Sequence, residues 1–204
     1  WAGGLGAAGG GVCLAGRGAD CDTAVARRGE VVVAHALQGL SQIPDTPFFL
    51  WVHLYDAHDP YDPPPPYKQR FSAQAYDGEI AYADACVGKL LDALHQHGLY
   101  DKAIIAVMAD HGESLGAHGE NTHGVFLYDE TLHVPLLIKL PLDQWAGRRV
   151  ETRAGLVDVA PTILTAAGLP APVAVQRNPH LAPSATAPVA PGANSQPAQP
   201  PAPH

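Results

Sequence analysis

The run Ala-Ile-Ile-Ala-Val-Met-Ala, from Ala103 to Ala109, contains neither Gly nor Pro and stops abruptly at Asp110-His111-Gly112. Its shortness and β-branched content fit a strand buried on both faces better than a surface helix. A carboxylate and an imidazole then stand at its C-terminal end. In open α/β sheets that edge is where ligands bind, and an adjacent Asp-His pair there can give one oxygen and one nitrogen to a single divalent metal. Taken as a bare dipeptide it reads sooner as a loop Asp capping the next element beside an incidental His, since short motifs match by chance.

The surroundings favour the metal reading. His118, His123 and His133 follow within one Gly-rich segment that must fold back before the next apolar run, Val134 to Leu140. Eight of the chain's 11 His lie between His53 and His133, so imidazoles concentrate where the apolar runs end.

Upstream, Trp1 to Ala19 is Gly- and Ala-rich with few large side chains and is expected to be flexible, making residues 1–20 a linker-like segment. Asp22 to Leu40 spaces Val25, Val32, Val33, Ala36, Leu37 and Leu40 as an amphipathic helix, despite three consecutive Val. After Pro44 and Pro47, Phe48 to Leu54 has the aromatic and apolar content of a core strand. It runs into Tyr55-Asp56-Ala57-His58-Asp59-Pro60-Tyr61 and the Pro63 to Pro66 run, whose fixed φ holds the loop extended and can keep an imidazole at the sheet edge.

A helix capped by Asp77 is predicted next, with Ile80, Ala83, Val87, Leu90, Leu91 and Leu94 on its apolar face. Glu79 and Asp84 are assigned to its solvated face, His95 and His97 to its polar end, and Gly98-Leu99 to a Schellman-type stop. Strand, helix, strand in that order implies a right-handed crossover between parallel neighbours. Arg148 to Val157 is expected as an edge strand, and Asp158 as the cap of a helix ending at Gly168 before Pro170. Half of the 20 Pro fall from Pro170 onward, so residues 171–204 are expected to be a disordered Pro/Ala-rich tail behind a domain at 21–170.

A net charge of −8 argues against a nucleic-acid partner. It does not exclude an anionic substrate, because a metal and a few cations fix the field at one site. Three Cys without a CxxC pair indicate neither a disulfide framework nor a zinc ribbon. No run of 18 apolar residues and no signal-peptide pattern is visible, and a chain that starts at Trp1 is expected to be processed or truncated.

ADHGESLGAHGENTHG followed by FLYDETLHVPLLIKLP, together with LVDVAPTILTAAGLP, resembles the C-terminal half of the catalytic domain of sulfatases, members of the alkaline phosphatase superfamily. The similarity runs from about Pro47 to Pro170. It implies an α/β fold, a partial alkaline phosphatase-like three-layer sandwich with a mostly parallel sheet and flanking helices. It implies metal-dependent hydrolysis of a sulfate ester, with Asp110 and His111 as metal ligands. The metal would be calcium, or zinc or manganese in a phosphodiesterase-like relative. Tyr55 to Tyr61 matches the family's strand followed by His-x-Pro-Tyr, which makes His58 the group that contacts the ester and protonates the leaving oxygen. His123 stands where many sulfatases carry a substrate-binding Lys, and is the second ester-contacting and catalytic candidate.

The family's paired Asp ligands and its Cys or Ser nucleophile have no counterpart before residue 47; Cys13-Leu14-Ala15-Gly16-Arg17 lacks the Pro and Ser of Cys-x-Pro-Ser-Arg. No nucleophile is therefore assigned, and the isolated chain is expected to be inactive or nearly so. Three readings stand: a sulfatase domain fragment, a phosphodiesterase or phosphoethanolamine-transferase relative, and a non-catalytic remnant that acts as a binding module. Compartment, oligomeric state and physiological substrate are not legible.

Overall fold

The computed structural model describes residues 11–15, 20–22, 28–42 and 46–170, with the first two of these segments described by their backbone alone. The expectations for residues 1–10 and for the tail at 171–204 lie outside the described residues. Two compact units are present, Trp1–Ala146 and Gly147–His204, dividing the domain expected at 21–170.

The first unit is α/β. Its helical layer begins with α1 (Gly29–Ser41), which buries Val32, Val33, Ala36 and Leu40. The helix starts later than the sequence predicts, since Asp20–Asp22 forms strand β2 against β1 (Gly11–Ala15). Strand β1 thus occupies part of a stretch expected to be flexible, and it does so by pairing antiparallel along β3 (Phe49–His53). The Val-rich run stays helical because burial outweighs its modest intrinsic propensity. Val32 and Val33 are only 1% and 2% exposed, which stabilises by about 1.5–3 kcal/mol each.

Helix α1 lies against the long helix that follows the short α2 (Tyr67–Arg70), namely α3 (Ala75–Gln96). Val33, Tyr82 and Cys86 form the centre of the core between them, with Leu37, Leu54, Tyr67 and Leu90 packed around it. The buried face of α3 is rotated from the predicted one: Gly78, Glu79, Tyr82, Cys86 and Ala93 are buried while Ile80 is 45% exposed. Glu79 is therefore not on the solvated face, although Asp84 is. The N-cap position is Gln74, with Asp77 inside the first turn. The C-terminal end closes as predicted. Gly98 takes φ +64°, its N–H donates to the His95 carbonyl at 3.0 Å, and the Leu99 N–H donates to the Leu94 carbonyl at 2.8 Å.

After a 3-10 turn at Tyr100–Lys102 comes β4 (Ile105–Met108), paired antiparallel with β5 (Leu136–Lys139). A short α4 (Asp129–Leu132) precedes β5. Lys139 ties β5 to the turn, its ammonium donating to the Tyr100 carbonyl and lying over the Tyr100 ring. The expectation of parallel neighbours is corrected here: β3 and β4 belong to different sheets, and every strand pair among the described residues is antiparallel. A helical crossover sets handedness only for strands that share a sheet, and each of these two takes a different partner. Nor is β4 buried on both faces, since Val107 and the opposing Leu137 are 38% and 61% exposed.

In the second unit the predicted edge strand at 148–157 is absent among the described residues, and Leu156–Asp158 is a 3-10 turn leading into α5 (Val159–Ala166). Asp158 is buried and stands at the N-cap position of α5 as expected, but its carboxylate accepts the Gly155 N–H at 2.9 Å and makes no cap bond to the helix.

Candidate active site

Two strand ends supply the site. Beyond β3 the chain turns at Tyr55 to His58, where the His58 N–H donates to the Tyr55 carbonyl at 3.2 Å and Ala57 takes φ +79°. That left-handed residue belongs at the third position of a tight turn, and an alanine there stores strain. The turn lays the His58 ring flat on Tyr55, with centroids 4.5 Å apart, and His58 Nδ1 meets the Asp59 carbonyl at 2.6 Å. A carbonyl only accepts, so Nδ1 carries a proton.

Beyond β4, Asp110 and His111 enter the Gly-rich loop. The His111 backbone N–H donates to Asp110 Oδ1 at 3.1 Å, and His111 Nδ1 donates to the Gly112 carbonyl, 2.9 Å away. The neutral His111 ring consequently has its lone pair on Nε2, which lies 3.9 Å from Asp110 Oδ1. Gly112 is required by close approach: its N–H donates to the Thr131 carbonyl at 2.8 Å, and a Cβ would overlap the carbonyl oxygen of Glu130.

The loop then doubles back around a buried carboxylate. Glu120 is 5% exposed and accepts the N–H groups of Val125 and Phe126 at 2.8 and 3.3 Å, while Ser114 N–H donates to the Thr122 carbonyl at 3.0 Å. This return carries His123 onto His111, ring centroids 3.9 Å apart, and within 5.2 Å of the His58 ring. His123 Nδ1 faces both oxygens of Glu113, at 3.2 and 3.3 Å, and the Glu113 side chain is 3% exposed. Tyr61 and Tyr76 stand edge to face beside it. Burial, and then the Glu113 carboxylate, push both phenols above their ordinary range.

All four residues singled out by sequence thus fall in one place. Asp110 pairs with His111, the His111 ring lies against His123 at a tilt of 30°, and His123 meets His58. His118 lies apart, stacked on Tyr128 with Nε2 3.5 Å from Glu130. Three residues escaped the sequence reading. Glu113 follows directly in the Asp-His-Gly-Glu string, but nothing in spacing alone shows that the chain returns to it. Arg28 and Asp56 join Glu79 in a cluster beside His58, and the four line a cavity of about 150 Å³ with Tyr55, Asp59 and Pro60. Arg28 Nη1 is 3.4 Å from Glu79 Oε1 and 3.9 Å from Asp56 Oδ1. Burial raises both carboxyls above their ordinary values, against the opposing pull of backbone N–H groups and Arg28.

The family model for sulfatases matches residues 27–169. The chain belongs to the sulfatase family. Human arylsulfatase K is 38% identical over 97 residues, covering 48% of this chain and 18% of that protein. Iduronate 2-sulfatase of Mus musculus is 30% identical over 162 residues, covering 64% and 29%. This sulfatase-family chain therefore spans less than a third of the length of these curated relatives. Among solved structures, the sulfatase-like protein yidJ from Bacteroides fragilis superposes with a TM-score of 0.62 at 21% identity, covering 78% of this chain and 41% of that one. Ps i-CgsB in complex with k-i-k-neocarrahexaose gives 0.60 at 21%, covering 76% and 38%. The fold is accordingly the alkaline phosphatase-like α/β fold of sulfatases, of which this chain carries a part.

Proposed function

We propose that this chain supplies one side of a metal-dependent sulfuric ester hydrolase site, with Asp110 and His111 holding a divalent cation and His58 and His123 contacting the ester. The observation that supports the reading is the close approach of His123 to His111 within reach of His58, at ring separations of 3.9 and 5.2 Å. Sequence-distant imidazoles do not gather beside an exposed Asp for the sake of a core.

The donor set fits a cation in kind. Asp110 is open to solvent, and His111 Nδ1 is occupied by a carbonyl, which leaves Nε2 as the coordinating nitrogen. Two protein ligands fill only part of the shell of a divalent cation, so Asp110 and His111 would be two positions of a larger one. Calcium, which takes six or more oxygens, is the choice for a sulfatase. When bound it would neutralise the ester's anionic oxygens and the charge that develops on them.

His58 and His123 do the remaining chemistry. A sulfate ester leaves as a poor alkoxide unless the departing oxygen is protonated, and an imidazolium suits that task near neutral pH. His58 Nε2 is the free ring nitrogen of a side chain clamped by Tyr55 and the Asp59 carbonyl, which makes it the leaving-group acid. His123 in its imidazolium form donates from Nε2 to a non-bridging oxygen, with Nδ1 turned to Glu113. With no nucleophile assigned in this chain, turnover of an aryl sulfate by the purified polypeptide with added calcium is expected to be negligible. Robust turnover that is lost on Asp110→Ala would show that the chain is catalytically complete. Turnover of a phosphodiester with zinc or manganese in place of calcium would move the assignment to the phosphodiesterase side of the superfamily.

A further inference from the structure

We propose that Glu113 is a positioning residue that holds His123 in the tautomer with its proton on Nδ1, leaving Nε2 as the one ring nitrogen free for another partner. The consequence for an ester rests on the reading of His123 given above, whereas the tautomer assignment does not.

The argument is geometric. Both Glu113 oxygens lie within 3.3 Å of Nδ1, at 3.2 and 3.3 Å, so the imidazole edge is centred on the carboxylate. An ionised carboxylate only accepts hydrogen bonds, and a neutral imidazole has one donor and one acceptor nitrogen. Were the lone pair on Nδ1, it would face both oxygens of a carboxylate whose side chain is only 3% exposed, a repulsive contact where a hydrogen bond is available. Tyr61 and Tyr76 keep their protons and stand close, so neither offers Glu113 a competing cation. The loop itself enforces the register. Glu113 is fixed next to Gly112, whose N–H is bonded to Thr131, and His123 lies on the returning half of the loop held by Glu120. A carboxylate that orients a working imidazole through its second nitrogen is a general device for setting which nitrogen faces the reaction.

The test uses the full chain, labelled in its His nitrogens and kept metal-free by a chelator, at a pH well above neutrality where imidazoles are uncharged. Long-range proton–nitrogen correlation spectra separate the two tautomers of each ring. His123 is expected to show Nδ1 protonated in the wild type and in Glu113→Gln, whose amide oxygen still accepts. In Glu113→Leu the population is expected to shift to the Nε2–H form that dominates an unconstrained histidine side chain. A wild-type His123 protonated on Nε2 overturns the proposal without recourse to any variant, and so does a folded Glu113→Leu chain with unchanged nitrogen shifts. Adding inorganic sulfate separates this proposal from the functional one. If Nδ1 is protonated in the basic sample but sulfate, added after the pH is lowered until Nε2 also carries a proton, leaves Nε2 unmoved, Glu113 still positions His123 while the ester-binding role falls.

Discussion

Replacing Gly112 by Ala tests whether the Asp-His-Gly turn is built on backbone contact. The added Cβ would overlap the Glu130 carbonyl oxygen and lie 3.1 and 3.3 Å from Glu130 C and Thr131 Cα, all of them backbone atoms. Neither partner yields easily. Thr131 is 5% exposed, and its hydroxyl donates to the Tyr128 and Phe126 carbonyls at 3.0 and 3.3 Å. Restoring ordinary contact requires a withdrawal of about 1 Å or more, which stretches the 2.8 Å hydrogen bond from Gly112 N–H to the Thr131 carbonyl beyond use. Overpacking costs about 1–3 kcal/mol and the lost bond about 1 kcal/mol, so a destabilisation of about 2–4 kcal/mol is expected. In urea unfolding that lowers the midpoint by about 1–2 M for a slope of about 2 kcal/mol per molar. The same movement drags His111 from His123, so the ring-current shifts between the two close rings should vanish. A loss under about 0.5 kcal/mol with the His111 and His123 resonances unchanged would refute the close-approach argument.

Gly88→Ala is the contrasting substitution, because nothing lies within 4 Å of its added Cβ inside α3, and urea unfolding should show a gain of about 0.8–1 kcal/mol. Tyr82→Phe leaves the Glu30 N–H of the first α1 turn without the hydroxyl that it donates to at 2.9 Å, and a loss of about 1–2 kcal/mol is expected by the same assay. Burial holds the Asp56 carboxyl above 3.8 and that of Glu79 above 4.5, so the folded state keeps these protons longer than the unfolded chain does. Their contribution to stability is complete below those unfolded values and is lost as pH rises through the folded ones. Glu79→Gln should therefore flatten the decline in unfolding free energy from about pH 4.5 towards neutrality, whereas an unaltered slope would exclude Glu79 as a source.

The site was legible where chemistry and strand ends coincide. An apolar run stopping at Asp110-His111 and a second one stopping short of His58 both place an imidazole just past a strand end, and although the two strands lie in different sheets their ends meet across His123. Glu113 and Glu120 were not legible in role, since one carboxylate grips an imidazole ten residues away and the other folds the loop that returns it. Helix ends at Gly98 and Gly168 were readable because a left-handed residue is a local demand, and Gly meets it. The burial of Glu79 was not, because periodicity marks an apolar face and gives no sign of an ion cluster sunk between Arg28 and the Asp62 N–H, 2.9 Å from its carboxylate. Strand direction failed for a similar reason: β1 pairs with β3 from a Gly-rich segment that carries little pattern of its own.

Titrating the full chain with manganese, a paramagnetic stand-in for the divalent cation, tests the central claim most directly. Line broadening should begin at His111 and Asp110, extend to His123 and then His58, and disappear in Asp110→Ala. Broadening centred elsewhere, or undiminished in that variant, would contradict the assignment of Asp110 and His111 as cation ligands.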